Sequence, residues 1–334
     1  MKSIPTMKDI ADELDITVMS VSKALSGKEG VSDELRARIV AKAEEIGYKK
    51  SAPVKETSSK NIGILVAARS LNADATFMSL QQSVISQLSQ VDYYGLTEII
   101  HEDTEHLLIL PKLIKDKKID GFILLGTLEP AYIDMLRSVD LPNVLLTFDF
   151  GDQSDGGIIC DNLYAGYTLT QYLFKNGYRN IGFIGNPNFD AISLDRYLGF
   201  IKALIKNKVP YNADNVINDV SEMGDEQPLF LPDNLPDAFV CNNCRVAYKL
   251  IHYLEGLEHE VPADIAVVAF DDGIYADFGI PKLTTFSFNY DEMAQMAVES
   301  IIVKMQDKNV KLGKKIIFGK VIERDSVKIR IQEI

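Results

Sequence analysis

Hydrophobic positions follow two different rhythms along this 334-residue chain. Between positions 1 and 50 they recur every three or four residues. Ile10, Ala11 and Leu14 form one stripe, Val21, Ala24 and Leu25 a second, and Leu35, Ile39, Ala43 and Ile46 a third. That spacing predicts three short helices, each with one buried face. Thr6, with Asp9 three residues on, is a weaker form of the capping box, and Thr17 and Ser32 stand as N-caps of the other two helices. Gly27 and Gly30 mark a loop, and Gly47 stops the third helix. Two short helices in close succession, covered by a third, follow the helix-turn-helix plan.

From Asn61 onward the rhythm changes. Apolar runs at 62–66, 96–100, 119–125, 144–148, 181–184, 238–241 and 265–270 are continuous rather than alternating. Such runs predict parallel strands buried on both faces. Helical stretches at 77–90, 132–139, 165–175, 195–207, 246–255 and 291–305 lie between them. The expected body is a doubly wound α/β structure, long enough for two lobes. Between head and body, residues 49–60 are poor in large apolar side chains and contain Pro53, which reads as a linker. The division expected is a head at 1–50, a linker or hinge at 51–60 and a body at 61–334. Within the body, lobe 1 takes about 61–160 and 288–318, and lobe 2 about 161–287 and 319–334. Pro228 and Pro232 argue against a regular helix near them.

Composition narrows the class. With 46% hydrophobic and 25% charged residues, the chain is neither disordered nor collagenous. Cys160, Cys241 and Cys244 are an odd number and suggest no disulfide framework. No apolar run approaches the ~18 residues of a membrane span, and the first residues lack a signal peptide's apolar stretch. The expectation is a soluble cytoplasmic protein with no membrane partner. A net charge of −13 taken as a whole argues against nucleic acid. The charge is unevenly distributed, however. Residues 1–60 hold 11 Lys and Arg against 10 Asp and Glu, a net of +1, whereas the rest hold 24 against 38, a net of −14.

Candidate chemistry lies in two places. If Val21 and Leu25 face the head's core, then Val18, Met19, Ser22 and Lys23 face outward. In a DNA major groove apolar side chains meet thymine methyls, and a Lys donates to guanine. The hydroxyls of Thr6, Thr17, Ser20 and Ser32, at helix N-termini, suit phosphates. The bland alternative is a helical protein-interaction head. In the body, ligands are expected beyond the carboxyl ends of the strands. Asp149 and Phe150, Asn242 and Asn243, Asp271 and Asp272, and the Asp195-Arg196 pair follow such ends. Together with Phe77, Phe150, Tyr197 and Tyr275 they suit a polyhydroxylated ligand, whose hydroxyls donate and accept and whose C–H faces lie on rings. Asp271 and Asp272, as strand neighbours, point to opposite faces and form no catalytic dyad. Cys241-Asn242-Asn243-Cys244 is a CxxC without a second pair, and the four His show no metal spacing. No Walker loop, nucleophile elbow or HExxH motif is present. No catalytic residue, metal or cofactor is expected.

Thr6-Met7-Lys8-Asp9-Ile10-Ala11, Thr17 through Ser26, Val31-Ser32 and Ile46-Gly47-Tyr48 resemble the head of the lactose/galactose repressor family. Asp195-Arg196-Tyr197-Leu198-Gly199-Phe200 and Ala269-Phe270-Asp271-Asp272 resemble its effector segments, and Leu283-Thr284-Thr285 and Ile322 through Ser326 two further landmarks. The resemblance implies a helix-turn-helix head on a periplasmic-binding-protein-like body of two parallel-sheet lobes. It implies that Val18, Met19 and Lys23 read bases and that Tyr48 contacts the DNA backbone. It also implies that Phe77, Asp149, Arg196, Asn242 and Asp271 contact the effector. Lys23 stands where the family more often carries Arg, and a point charge discriminates less than a fork. The linker departs from the family's hinge helix: it is shorter, lacks the wedging Leu and carries Pro53, leaving Val54 as substitute.

Three function classes compete. The leading one is a transcriptional repressor that binds a near-palindromic operator as a homodimer or larger assembly and answers to a small molecule, foremost a sugar. Its variants answer to a purine or to a partner protein. The second is a solute-binding protein for sugar uptake, which the head argues against. The third is a sugar-processing enzyme, for which no nucleophile or acid–base pair stands out.

Overall fold

The computed structural model describes residues 6–25, 30–46, 48, 59–73, 75–126, 128–147 and 157–330. They belong to two compact units, Met1–Ser58 and Ser59–Ile334.

In the first unit, helices α1 (Met7–Leu14), α2 (Val18–Leu25) and α3 (Asp33–Glu45) enclose a core of Ile10, Ala11, Val21, Ala24, Ile39 and Ala43. Each helix starts at a predicted cap. Asp9 N donates to Thr6 Oγ1 and Thr6 N to Asp9 Oδ2, so the capping box is complete. Thr17 Oγ1 accepts from Ser20 N, and Ser32 Oγ from Leu35 N. The end of α2 is held by a residue that periodicity does not single out. Arg36, on α3, donates from Nη1 to the carbonyls of Ala24 at 2.9 Å and Lys23 at 3.4 Å. It thereby satisfies two of the carbonyls that a helix leaves open at its C-terminus.

The second unit holds two six-stranded sheets. Lobe 1 begins with β1 (Asn61–Ala67), α4 (Ala68–Ala73), α5 (Ala75–Gln90) and β2 (Tyr94–Ile100). It continues with α6 (Glu102–His106), α7 (Lys112–Lys115), β3 (Gly121–Leu125), α8 (Pro130–Arg137), β4 (Asn143–Leu146) and β5 (Gly157–Cys160). The chain then enters lobe 2 with α9 (Asn162–Lys175), β6 (Ile181–Ile184), α10 (Ala191–Lys206), a 3-10 turn at Ala213–Asn215 and β7 (Val216–Ile217). There follow β8 (Ala238–Cys241), α11 (Cys244–Gly256), β9 (Ala266–Phe270), α12 (Tyr275–Phe278) and β10 (Thr284–Phe288). It returns to lobe 1 with α13 (Tyr290–Gln306) and β11 (Lys315–Ile317), and finishes in lobe 2 with β12 (Gly319–Ile322).

The sheet orders are β11-β5-β4-β3-β1-β2 and β12-β10-β9-β8-β6-β7, so the lobes match strand for strand. They differ at one edge, where β11 runs parallel to β5 but β12 runs antiparallel to β10. Both lobes are the expected parallel-sheet α/β structures, and lobe 2 carries one antiparallel edge strand. The strands are apolar on both faces because both faces are covered. Ile62, Ile64 and Val66 pack with α5 and α13, while Leu65 and Ala67 face Tyr132 and Leu136 of α8. In lobe 2, Val268 and Phe270 pack with α9 and α10, and Val267 and Ala269 face α11. No helix spans 218–237, the stretch with Pro228 and Pro232. Among the described residues no helix is long and apolar enough to cross a membrane.

Candidate functional site

On the head, the second helix presents a small mixed surface. Val18 is 43% exposed, Thr17 and Ser22 are exposed, and Ser20 and Lys23 are half-buried. Lys23 was expected outward but lies partly covered, its chain running past Gly30. The Met19 side chain lies outside the described residues, as do 51–58, on which the linker, Pro53 and Val54 expectations fall. The hydroxyls expected at phosphates are partly engaged within the head. Thr6 Oγ1 donates to Asp9 Oδ2 at 2.7 Å, and the Thr17 and Ser20 hydroxyls share a bond at 2.9 Å. Ser32 is exposed beside its capping bond. Tyr48 packs against the head's core, and burial raises its hydroxyl pKa above the ordinary value.

In the body, β5, β6, β8 and β9 end around one cavity of about 740 Å³. Lobe 1 contributes Arg69, Phe77 and His101, and lobe 2 contributes Arg196, Asn242 and Asp271. A volume of this order suits a small organic ligand. Arg196 sits one turn into α10, where the helix buries Ser193, Arg196, Gly199 and Phe200. Asp190 caps α10 by accepting from Ser193 N at 2.7 Å. Gly199 lies against the backbone of Leu163 and Tyr167, and Gly166 against the carbonyl of Arg196; a Cβ on either glycine meets backbone. This close approach, possible only without side chains, sets the depth at which Arg196 enters the site.

Each of the three guanidinium nitrogens of Arg196 donates a hydrogen bond. Nη2 pairs with Asp271 Oδ2 at 3.0 Å, Nε donates to Asn162 Oδ1 at 3.0 Å, and Nη1 donates to the Asn242 carbonyl at 2.5 Å. Its planar face lies 4.7 Å from the Phe270 ring centroid. The ion pair is buried, with side-chain exposures of 8% and 7%. Removing one partner of such a pair is costly because the other charge is left uncompensated. Asp271 lies at φ 66°, in the left-handed region that Asp tolerates better than most residues. Its other carboxylate oxygen accepts from the Tyr290 hydroxyl, whose pKa is pushed well up by burial and then by the Asp271 charge. Asn242 donates from Nδ2 to Ser193 Oγ at 2.9 Å, yet its Oδ1 is buried with no donor among the described residues. A buried, unmatched acceptor beside a cavity is a place for a ligand donor.

The structure thus brings Arg196, Asn242 and Asp271 together and places Phe77 on the cavity's other wall. Asp149 and Phe150 lie outside the described residues. Two expected aromatics are elsewhere. Tyr197 packs with Phe183 and Phe200 in the lobe 2 core and bonds Tyr211, and Tyr275 packs on Tyr248. Phe189 and Phe288 line the cavity instead. Asp272 is held by other partners than Asp271: it binds Arg324 through both carboxylate oxygens and accepts from Thr285.

Sequence reading passed over Asn162 and Tyr290. Both follow strands, β5 and β10, that it also passed over, so the rule of looking past strand ends had no end to look past. It likewise missed Arg69 and Arg245, which line the cavity from opposite lobes. Arg69 pairs with Glu105 at 2.9 Å; burial raises the Glu105 carboxyl pKa despite that partner. Cys241 and Cys244 are free, buried thiols, and among the described residues no cluster of three His, Cys, Asp or Glu side chains is placed to hold a metal.

Comparison with known proteins agrees with this geometry. Residues 6–51 match the model of bacterial regulatory proteins of the lacI family, and residues 170–327 match a periplasmic binding protein-like domain. The ribose operon repressor of Haemophilus influenzae is 24% identical over 312 residues, covering 91% of this chain and 93% of its own. The solved complex of the transcriptional regulator CelR with cellobiose superposes with a TM-score of 0.69 at 19% identity, over 96% of this chain and 99% of that one. The lac repressor dimer bound to operator and the anti-inducer ONPF superposes with a TM-score of 0.67 at 17% identity, over 98% and 100%. With a lacI-family helix-turn-helix head at residues 6–51 and a periplasmic binding protein-like domain at 170–327, the chain is similar over most of its length to bacterial transcriptional regulators such as the ribose operon repressor.

Proposed function

We propose that this chain represses transcription in the cytoplasm, holding a near-palindromic operator as a homodimer and changing its grip when a carbohydrate fills the cleft between its lobes. The observation that carries the effector half is the Arg196–Asp271–Asn242 cluster, which lines the cavity and includes a buried, unmatched acceptor, Asn242 Oδ1. A polyol meets such a set at several points because each hydroxyl both donates and accepts. Phe77, Asp149, Arg196, Asn242 and Asp271 are the effector contacts in this reading. The cellobiose complex of a structurally similar regulator supports a carbohydrate ligand. Val18, Met19 and Lys23 read bases, while Thr6, Thr17, Ser20, Ser22, Ser32 and Tyr48 position the head on the DNA backbone. Residues 1–50 form the DNA-binding domain, 51–60 the hinge and 61–334 the effector and dimerisation body, its lobes divided near 160, 288 and 318.

The test is an electrophoretic mobility shift with DNA upstream of the chain's own gene, run alone and with a panel of sugars and one purine nucleoside. Retardation by a dimer and release by one sugar are expected, and Arg196→Lys should bind DNA normally but ignore that sugar. Failure to retard the upstream DNA sinks the repressor reading, and release by the purine alone sinks the carbohydrate.

A further inference from the structure

The sheet of lobe 1 is parallel throughout, so its strand starts share one edge while the cavity lies at the other. The chain arrives from the head at the strand-start edge. Ser59 N donates to Asp120 Oδ1 at 3.2 Å, Ser59 Oγ to the Lys118 carbonyl at 3.2 Å, and Asn61 Nδ2 to the same carbonyl at 2.9 Å. Lys60, Lys117 and Lys118 are exposed around this entry, and Lys115 is exposed at the end of α7 just before it. Lys115, Lys117 and Lys118 make no ion pair with any described residue. Two carboxylates stand among them, Asp116, which is exposed, and Asp120, which is engaged by Ser59. Farther along the same edge, the segment that leads into β11 brings Lys308, Lys311 and Lys314, all exposed, with Lys308 paired to Asp140. From β1 to β11 is four strand spacings, about 19 Å. Duplex DNA of that length carries about eleven phosphates.

We propose that this edge of lobe 1 is a second DNA-contacting surface, binding backbone phosphates beside the operator without reading bases. The proposal rests on the reading of the chain as a DNA-binding regulator and adds to it where the attraction comes from. Residues 1–60, head and linker together, have a net of +1 and offer little pull on phosphate, and the body as a whole, at −14, repels it. Around the entry Lys60, Lys115, Lys117 and Lys118 outnumber Asp116 and Asp120, so the repulsion is weakest there. Ser59 is the first described residue after the head in the chain, so this edge is where the body begins. Lysines also suit the C-terminus of a helix such as α7, but that role leaves the salt dependence of DNA binding unchanged.

The experiment uses the full chain and a fluorescein-labelled, random-sequence 30-bp duplex, with anisotropy titrations between 50 and 200 mM KCl. The variant is Lys115→Gln with Lys117→Gln and Lys118→Gln. A control removes three exposed lysines of lobe 2, Lys175→Gln with Lys206→Gln and Lys208→Gln. Each lost phosphate contact removes about 0.9 from the slope of log Kd against log[KCl]. The first variant should show a slope shallower by about 2 or more and at least tenfold weaker binding at 50 mM KCl, and the control neither. A slope equal to the unmodified chain's, or an equal loss in the control, overturns the proposal. No duplex binding by the unmodified chain itself overturns the DNA-binding reading along with it.

Discussion

In the proposed function two side chains carry recognition in opposite ways, one by donating and one by waiting for a donor. Lys23 is half-buried on α2, and a single Lys–guanine contact contributes about 1–3 kcal/mol of discrimination. Lys23→Ala should weaken operator binding by about that amount and relax one base position. Competition titrations against single-base operator variants check it, and an unchanged base preference removes Lys23 from the reading face. Asn242 has an unmatched buried Oδ1 and one side-chain bond, to Ser193. Asn242→Leu deletes an unpaired acceptor as well as that bond, so stability should change by no more than about 1 kcal/mol. Effector response should nevertheless fall at least tenfold, because a hydroxyl of the ligand loses its acceptor. Urea denaturation beside operator-release titration separates the two effects, and a large loss of stability with a normal response would contradict the assignment. Asn242 was legible in the sequence because it follows an unmistakable apolar run. Asn162, which holds Arg196 from the other side, was not, because β5 is four residues long and carries no period of its own.

At the level of elements, the fold was legible wherever burial on both faces made a strand continuously apolar. The edge strands β7, β11 and β12 run for two to four residues and have one neighbour each, so little in their composition marks them. The reversal of β12 was likewise invisible, because it depends on a partner distant in sequence. What anchors this reversed strand near its end is the Arg324–Asp272 pair, with contacts at 2.7 and 3.1 Å. Burial works to raise the Asp272 carboxyl, but the hydrogen bonds from Arg324 and Thr285 and the Arg324 charge outweigh it, so its pKa is lowered. A carboxyl held below its unfolded value stabilises the fold above that value and loses the effect as pH falls through the folded one. Asp272→Asn should therefore cost about 1–3 kcal/mol at pH 7, and the difference from the unmodified chain should shrink below about pH 4. Denaturation curves of both proteins across that range check it; a gap that widens in acid would reverse the assignment.

For the molecule as a whole, the net charge of −13 states how it meets DNA rather than whether it does. In the proposed homodimer a near-neutral head on an acidic body gains firm binding from two heads acting together, since joining them raises the effective concentration of the second. Lobe 2 exposes three apolar side chains close in sequence, Ile274, Phe278 and Ile280, the last 92% exposed. A patch of this kind suits a subunit interface. Phe278→Glu with Ile280→Glu should yield a monomer in sedimentation equilibrium and lower operator affinity by at least a hundredfold; a dimer of unchanged stability would place the interface elsewhere. The glycine contact between α9 and α10 has a further consequence, in time rather than space. It holds Arg196 at a fixed depth, and Arg196 is bonded to Asn162, Asn242 and Asp271, so lobe 2 keeps its half of the site assembled by its own bonds. In the proposed reading, an effector meets this finished wall first, and any closure by lobe 1, which lines the cavity with Phe77 and Arg69, comes after it. Capture is then expected as a fast collision followed by a slower closure. At high effector concentration the observed rate should level off at the speed of that closure.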